Sequence, residues 1–91
     1  MADIIHKYRL EITGRQIVLM PEGAKVLHVG VQRFDLCLWA QHRQDRPATE
    51  RHFAICGTGH ELPRLETRTY IGTVVTEPFV WHVFELSEKD W

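Results

Sequence analysis

An all-β fold, a small and mostly antiparallel sandwich or barrel of about six to seven strands, is what this sequence predicts. Three observations carry that expectation. Apolar residues recur at every second position through most of the chain, which is the side-chain period of a half-buried strand. No segment longer than two turns holds a helical period. Runs rich in β-branched and aromatic residues are separated by glycine, proline and polar clusters at the short spacing of an all-β domain.

In chain order, "IIHKYRLEI" places Ile4, Tyr8, Leu10 and Ile12 on one face, with Lys7, Arg9 and Glu11 on the other. "TGR" is a turn signal, and "RQIVLM" resumes an extended segment. "MPEGAK" combines a proline with a glycine that supplies positive φ, so residues 15–34 read as a hairpin with a type I turn and a glycine bulge. "KVLHVGVQRF" alternates strictly, and "LCLWAQ" is apolar on both faces, as a central or interfacial strand would be. Residues 42–50 form a polar, proline-containing loop. "RHFAIC" is a further strand running into "GTGH". "HELPRLETR" has room for a short helical turn limited by Pro63. "ETRTYIGTVVTE" is a strong strand signal, Pro78 interrupts, and "FVWHVFEL" closes the pattern. Residues 87–91 read as a fraying polar tail in which Trp91 has the option of docking.

The 91 residues, 44% of them apolar, suit one domain spanning 1–91 with a modest core. A formal charge of −1 argues against a duplex-DNA binder, which carries a basic stripe. No apolar run reaches membrane-spanning length and the N-terminus lacks a signal-peptide pattern, so a cytoplasmic location is expected. Cys37 and Cys56 each sit in an apolar run and read as reduced, buried thiols; a disulfide would require their two strands to pair.

"IHKY", "MPEGAKVLHVGVQ", "CLWA", "GTGH", "YIGT" and "HVFE" follow one another in an order that resembles a group of small phage and prophage proteins, known mainly as a domain of unknown function. The resemblance runs over roughly residues 5 to 86. It implies a phage-encoded, cytoplasmic, β-rich protein acting in the host cell. It implies no activity, and it transfers no catalytic role to any position.

The candidate ligand-binding residues are Gly57, Thr58, Gly59, His60, Arg33, Trp39, Tyr70 and Trp81. Backbone N–H groups of Gly57 and Gly59, with the Thr58 hydroxyl, suit an anion, and His60 suits a phosphate contact or acid–base work. The same two glycines also suit a plain sharp turn, and the stretch lacks the lysine and following helix of a phosphate-cradling loop. Trp39, Tyr70 and Trp81 suit stacking on a base, and Arg33 or Arg51 suits holding phosphates. His6 and His82, on largely apolar faces, read as satisfied core histidines. No short Cys/His spacing marks a metal site, and no cofactor is expected.

The last strand is apolar on both sides, with Phe79, Trp81 and Val83 facing one way and Val80, His82, Phe84 and Leu86 the other. In a domain this small, that pattern predicts association into a homo-oligomer. Three functions follow. The first is a non-enzymatic oligomer that sequesters a nucleotide-like small molecule, a signal of host immunity. The second is an inhibitor of a host protein acting through surface contacts alone. The third is a small phosphodiesterase or hydrolase using His60, for which no nucleophile–base spacing is visible.

Overall fold

The computed structural model describes residues 2–87; the expectations for Trp91 and most of the polar tail lie outside them. The described residues form seven strands: β1 (Asp3–Leu10), β2 (Gln16–Pro21), β3 (Lys25–Gln32), β4 (Asp35–Arg43), β5 (Ala48–Gly57), β6 (Arg68–Thr76) and β7 (Phe79–Leu86). A 3-10 turn, Leu65–Thr67, precedes β6 and is the helical turn expected near Pro63. Two antiparallel sheets result, one of order β1-β4-β3 and one of order β2-β5-β7-β6. The all-β sandwich is therefore the observed architecture.

The alternation seen in the sequence decides what lies between the sheets. Leu10, Val29, Leu36, Leu38 and Ala40 come from the three-stranded sheet, and Met20, Phe53, Ile55, Val74 and Val83 from the four-stranded one. β4 is the middle strand of its sheet, with Leu36, Leu38 and Ala40 in the core and Cys37 and Trp39 on the opposite face. Cys37 points away from the core residues Leu36 and Leu38, opposite Gly30 and Arg9. Cys56 belongs to a second apolar cluster on the outer side of the other sheet. β4 and β5 do not pair, so the two thiols are free and no disulfide links them.

The hairpin expected over residues 15–34 does not form. β2 pairs with β5, whereas β3 pairs with β4, so the chain changes sheets between them. The Ala24 amide donates to the Pro21 carbonyl at 3.1 Å, and Gly23 adopts φ +81°. That is a type II geometry with glycine at its third position. The same turn chemistry serves a hairpin or a corner, and here Val18 and Met20 are needed in one layer while Val26 and Val29 are needed in the other. The real two-residue connections are Arg33–Phe34, between β3 and β4, and Glu77–Pro78, between β6 and β7.

Two contacts tie the layers together. Arg51 on β5 forms a two-pronged ion pair with Glu85 on β7 and donates through Nη1 to the Ala24 carbonyl at 2.8 Å, bridging into the other sheet. The hydrogen bond to Glu85 holds the guanidinium more firmly protonated than usual, and burial pushes the nearby Tyr8 phenol up, opposed by the Arg51 charge. Arg51 is thus committed to the fold and is not the phosphate-holding residue expected from the sequence. At the β3–β6 edge, Gly72 faces Val29 so closely that an added Cβ would stand 2.8 Å from Val29 Cγ1. Gly72→Ala is expected to lower stability by about 1–3 kcal/mol through overpacking. Combining it with Val29→Ala removes the clash, so the two changes are expected to be strongly non-additive in chemical denaturation.

Candidate ligand-binding site

β5 and β6 run parallel because each pairs antiparallel with β7, which lies between them. The connection from Gly57 to Arg68 must therefore travel back along the whole sheet. It does so across the outer face. Pro63 is buried and shares a groove with Ala54 and Cys56, and the Arg68 guanidinium donates to the Pro63 carbonyl. The apolar second side of β5 and β7, formed by Ala54, Cys56, Phe84 and Leu86, is consequently covered by this chain's own loop. The sequence pattern attributed to association has that intramolecular cause on this face.

"GTGH" starts the crossing and is a β-turn. The His60 amide donates to the Gly57 carbonyl at 3.1 Å, and Gly59 adopts φ +92° at the third position, again a type II turn. Gly59 supplies the left-handed conformation. Gly57 supplies space: a Cβ there would stand 2.9 Å from His60 Nδ1 and Cε1 and 3.4 Å from the Trp81 ring. Both glycines thus have structural jobs, and those jobs lay the His60 imidazole over Gly57 beside Trp81 and leave Thr58 exposed.

A groove opens on each side of this turn. One, of about 340 Å³, lies between Thr58, His60, Phe79 and Trp81. The Phe79 and Trp81 rings are stacked, with centroids 5.6 Å apart and planes 23° from parallel. The other, of about 270 Å³, lies between the turn, Leu62, His82 and Phe84. The first lies at the lower end of small-ligand sites, which begin at about 300 Å³, and the second lies just below it.

A row of hydroxyl and imidazole groups starts at Thr58 and His82 in the second groove and leads away from it across β6. Thr58 Oγ1 lies 2.8 Å from His82 Nε2, His82 Nδ1 lies 3.0 Å from Thr73 Oγ1, and Thr73 Oγ1 lies 2.6 Å from Tyr70 Oη. Tyr70 also meets the Phe84 ring edge-on at 5.6 Å. Strict alternation would place Tyr70 and Thr73 on opposite faces. A register shift between Tyr70 and Gly72 puts both on the outer face, opposite Phe84 and His82. That shift is why neither Thr73 nor the role of His82 was legible in the sequence; the glycine in "YIGT" was the one available signal.

Of the residues expected at a site, Gly57, Thr58, Gly59, His60 and Trp81 come together, and Tyr70 joins them through Thr73 and His82. Trp39 does not. It lies on the outer face of the three-stranded sheet, 5.9 Å from the His28 ring. Arg33 occupies the β3–β4 turn with φ +51°, next to Phe34 at φ +71°. Phe34 is 100% exposed, and its groove shares Phe79 and Trp81 with the glycine turn. The sequence reading missed this exposed aromatic. His6 is exposed, with Nδ1 3.1 Å from Nε2 of the buried His42, so it is not a core residue. Burial pushes the Cys56 thiol up, against the opposing charges of Arg15 and Arg68, the reverse of what an activated nucleophile needs. Among the described residues, no group of three or more His, Cys, Asp or Glu side chains is placed to hold a metal ion.

A family model described as a domain of unknown function, DUF7352, matches residues 1–91. The chain belongs to the DUF7352 family. No curated protein and no solved structure matches it. Within this DUF7352 chain, the glycine turn is thus assigned chemistry by its geometry. Gly57→Ala is expected to cost about 1–3 kcal/mol by driving His60 off the turn. The double variant Gly57→Ala with His60→Ala is expected to recover most of that loss, which a double-mutant cycle in denaturant measures.

Proposed function

We propose that this DUF7352 chain is a non-enzymatic binding protein that sequesters a small nucleotide-derived ligand. The ligand's base would lie against the Phe79–Trp81 pair and its polar groups against the Gly57–His60 turn. The stacked pair beside an exposed hydroxyl and imidazole carries this reading, since a flat apolar surface flanked by a few polar groups suits a planar heterocycle. The biological setting, a phage accessory protein acting against host immunity in the host cytoplasm, is what the sequence resemblance implies. Binding is favoured over turnover because the Cys56 thiol is held protonated and both His82 ring nitrogens are engaged by hydroxyls. The grooves are shallow, so a second copy of the chain would supply the remaining wall.

A second reading, inhibition of a host protein by surface contact, is favoured by one feature. Phe34 stands fully exposed on a two-residue turn in which both residues have positive φ, a conformation that costs non-glycine residues energy. An exposed aromatic held on a rigid turn is a good anchor for a partner's pocket.

Thermal denaturation against a panel of nucleotides tests the first reading. A ligand at one hundred times its Kd is expected to stabilise the fold by about 2.7 kcal/mol. Phe79→Ala and His60→Ala, both at exposed positions, are expected to abolish the shift with the melting point of the free protein little changed. Ligand recovered after denaturation is expected to be chemically intact. Recovery of altered product would favour an enzyme, and absence of any shift would favour the surface inhibitor.

A further inference from the structure

We propose that Tyr70, Thr73 and His82 form a hydrogen-bond relay that turns the Thr58 hydroxyl into a donor toward the groove. Binding of a small oxyanion there, such as a phosphate, sulfate or carboxylate end group, then takes up a proton at His82. The inference rests on the glycine turn being a binding site, but not on the ligand being a nucleotide.

The relay follows from donor counting. Each hydroxyl has one proton to give, and a neutral imidazole has one donor and one acceptor nitrogen. Three contacts in series, Tyr70–Thr73, Thr73–His82 and His82–Thr58, therefore fall into two classes, set by which ring nitrogen carries the proton. In one, Thr58 donates to His82 Nε2, and Nδ1–H donates to Thr73, which either donates to Tyr70 or accepts from it through its second lone pair. Thr58 then shows the groove only lone pairs. In the other, Tyr70 donates to Thr73, Thr73 donates to Nδ1, and Nε2–H donates to Thr58, whose own O–H is free to point outward.

Protonating His82 removes the first arrangement. Both ring nitrogens then donate, Thr58 and Thr73 must both accept, and Thr58 keeps its O–H for the groove. The imidazolium adds a positive charge beside that hydroxyl. An oxyanion thus binds the protonated state more tightly, and by linkage its binding draws a proton from solution.

Several groups face His82 from the elements around it. Cys56 faces it from β5 with a thiol pushed up by burial. Thr73 and Tyr70 face it from β6, and Thr58 and His60 from the turn. Arg68 stands over the Phe84 ring on the same face, 5.8 Å from its centroid. No carboxylate lines the groove among the described residues, so none neutralises the imidazolium in place of a ligand. His60 lines the same groove and must be separated from His82 by experiment.

Sulfate is the probe, because it stays dianionic between pH 5.5 and pH 8. Amide and imidazole NMR titrations of the full chain, at constant ionic strength set with chloride, read the affinity. Sulfate is expected to move the Gly57–His60 amides and the His82 ring signals and to bind about tenfold or more tighter at pH 5.5 than at pH 8. His82→Gln is expected to erase that pH dependence in a folded protein, Thr58→Val to reduce it by removing the hydroxyl donor while the ring charge remains, and His60→Gln to keep it. In the free protein, Tyr70→Phe is expected to change the tautomer balance of the neutral His82 ring. Wild-type pH dependence in His82→Gln, loss of it in His60→Gln alone, or no sulfate response at the turn would each overturn the relay. Failure of every nucleotide with the sulfate result intact would sink the nucleotide reading only. Nucleotide binding without a His82-dependent pH effect would sink the relay only.

Discussion

The structure turns on one topological constraint. β7 lies between β5 and β6, so those two strands run parallel and the chain joining them must retrace the length of the sheet. A ten-residue return path cannot lie in the core, which the facing sheet already fills, and so it crosses the outside. From this crossing come the burial of Ala54, Cys56, Phe84 and Leu86, the sharp turn at Gly57–His60 that begins it, and the grooves on either side of that turn. The candidate site is a by-product of solving a connection problem, which explains why it holds both structural glycines and exposed polar groups.

The two layers are held by apolar packing and by a small number of specific contacts at opposite places. Arg51 reaches from the four-stranded sheet to the Ala24 carbonyl, just after the corner where the chain changes sheets. Gly72 allows β6 to approach Val29 on β3, and the register shift beside it turns Tyr70 and Thr73 to the same side. One irregularity in β6 therefore serves both the close approach of the sheets and the row of hydroxyls on the outer surface. Packing and site chemistry are coupled through that strand, and a change made for one is felt by the other.

The groups gathered around the turn are the kind that would suit recognition of a flat or anionic ligand. A stacked aromatic pair offers area, Thr58 offers a hydroxyl, and His60 and His82 offer imidazole nitrogens. Neither groove beside the turn is lined by lysine or arginine. Any positive charge offered to an anion from those linings would have to come from imidazole. Phe34, at the same end of the sandwich, provides an apolar contact of a different kind and suits a partner's pocket or a second copy.

Apart from β3, where a register shift between Val26 and His28 turns Val26 and Val29 inward and leaves Leu27 and Val31 exposed, and the loop expected over residues 42–50, whose two ends belong to β4 and β5, the sequence by itself determined the all-β class, the approximate strand order, which faces of β1 and β4 are apolar, and the presence of a sharp turn at "GTGH". These are local properties, set by a side-chain period of two and by residues that tolerate positive φ. Only the tertiary structure decided which strands pair. Proline and glycine in "MPEGAK" are as compatible with a sheet-to-sheet corner as with the expected hairpin. The apolar second side of β7 was legible, but its cover was not, because the covering loop becomes necessary only once β6 is known to lie beyond β7. The relay was hidden for the same physical reason: an extra residue in β6 breaks the period on which face assignments rest, and Thr58, Thr73 and His82 meet across three separate parts of the chain.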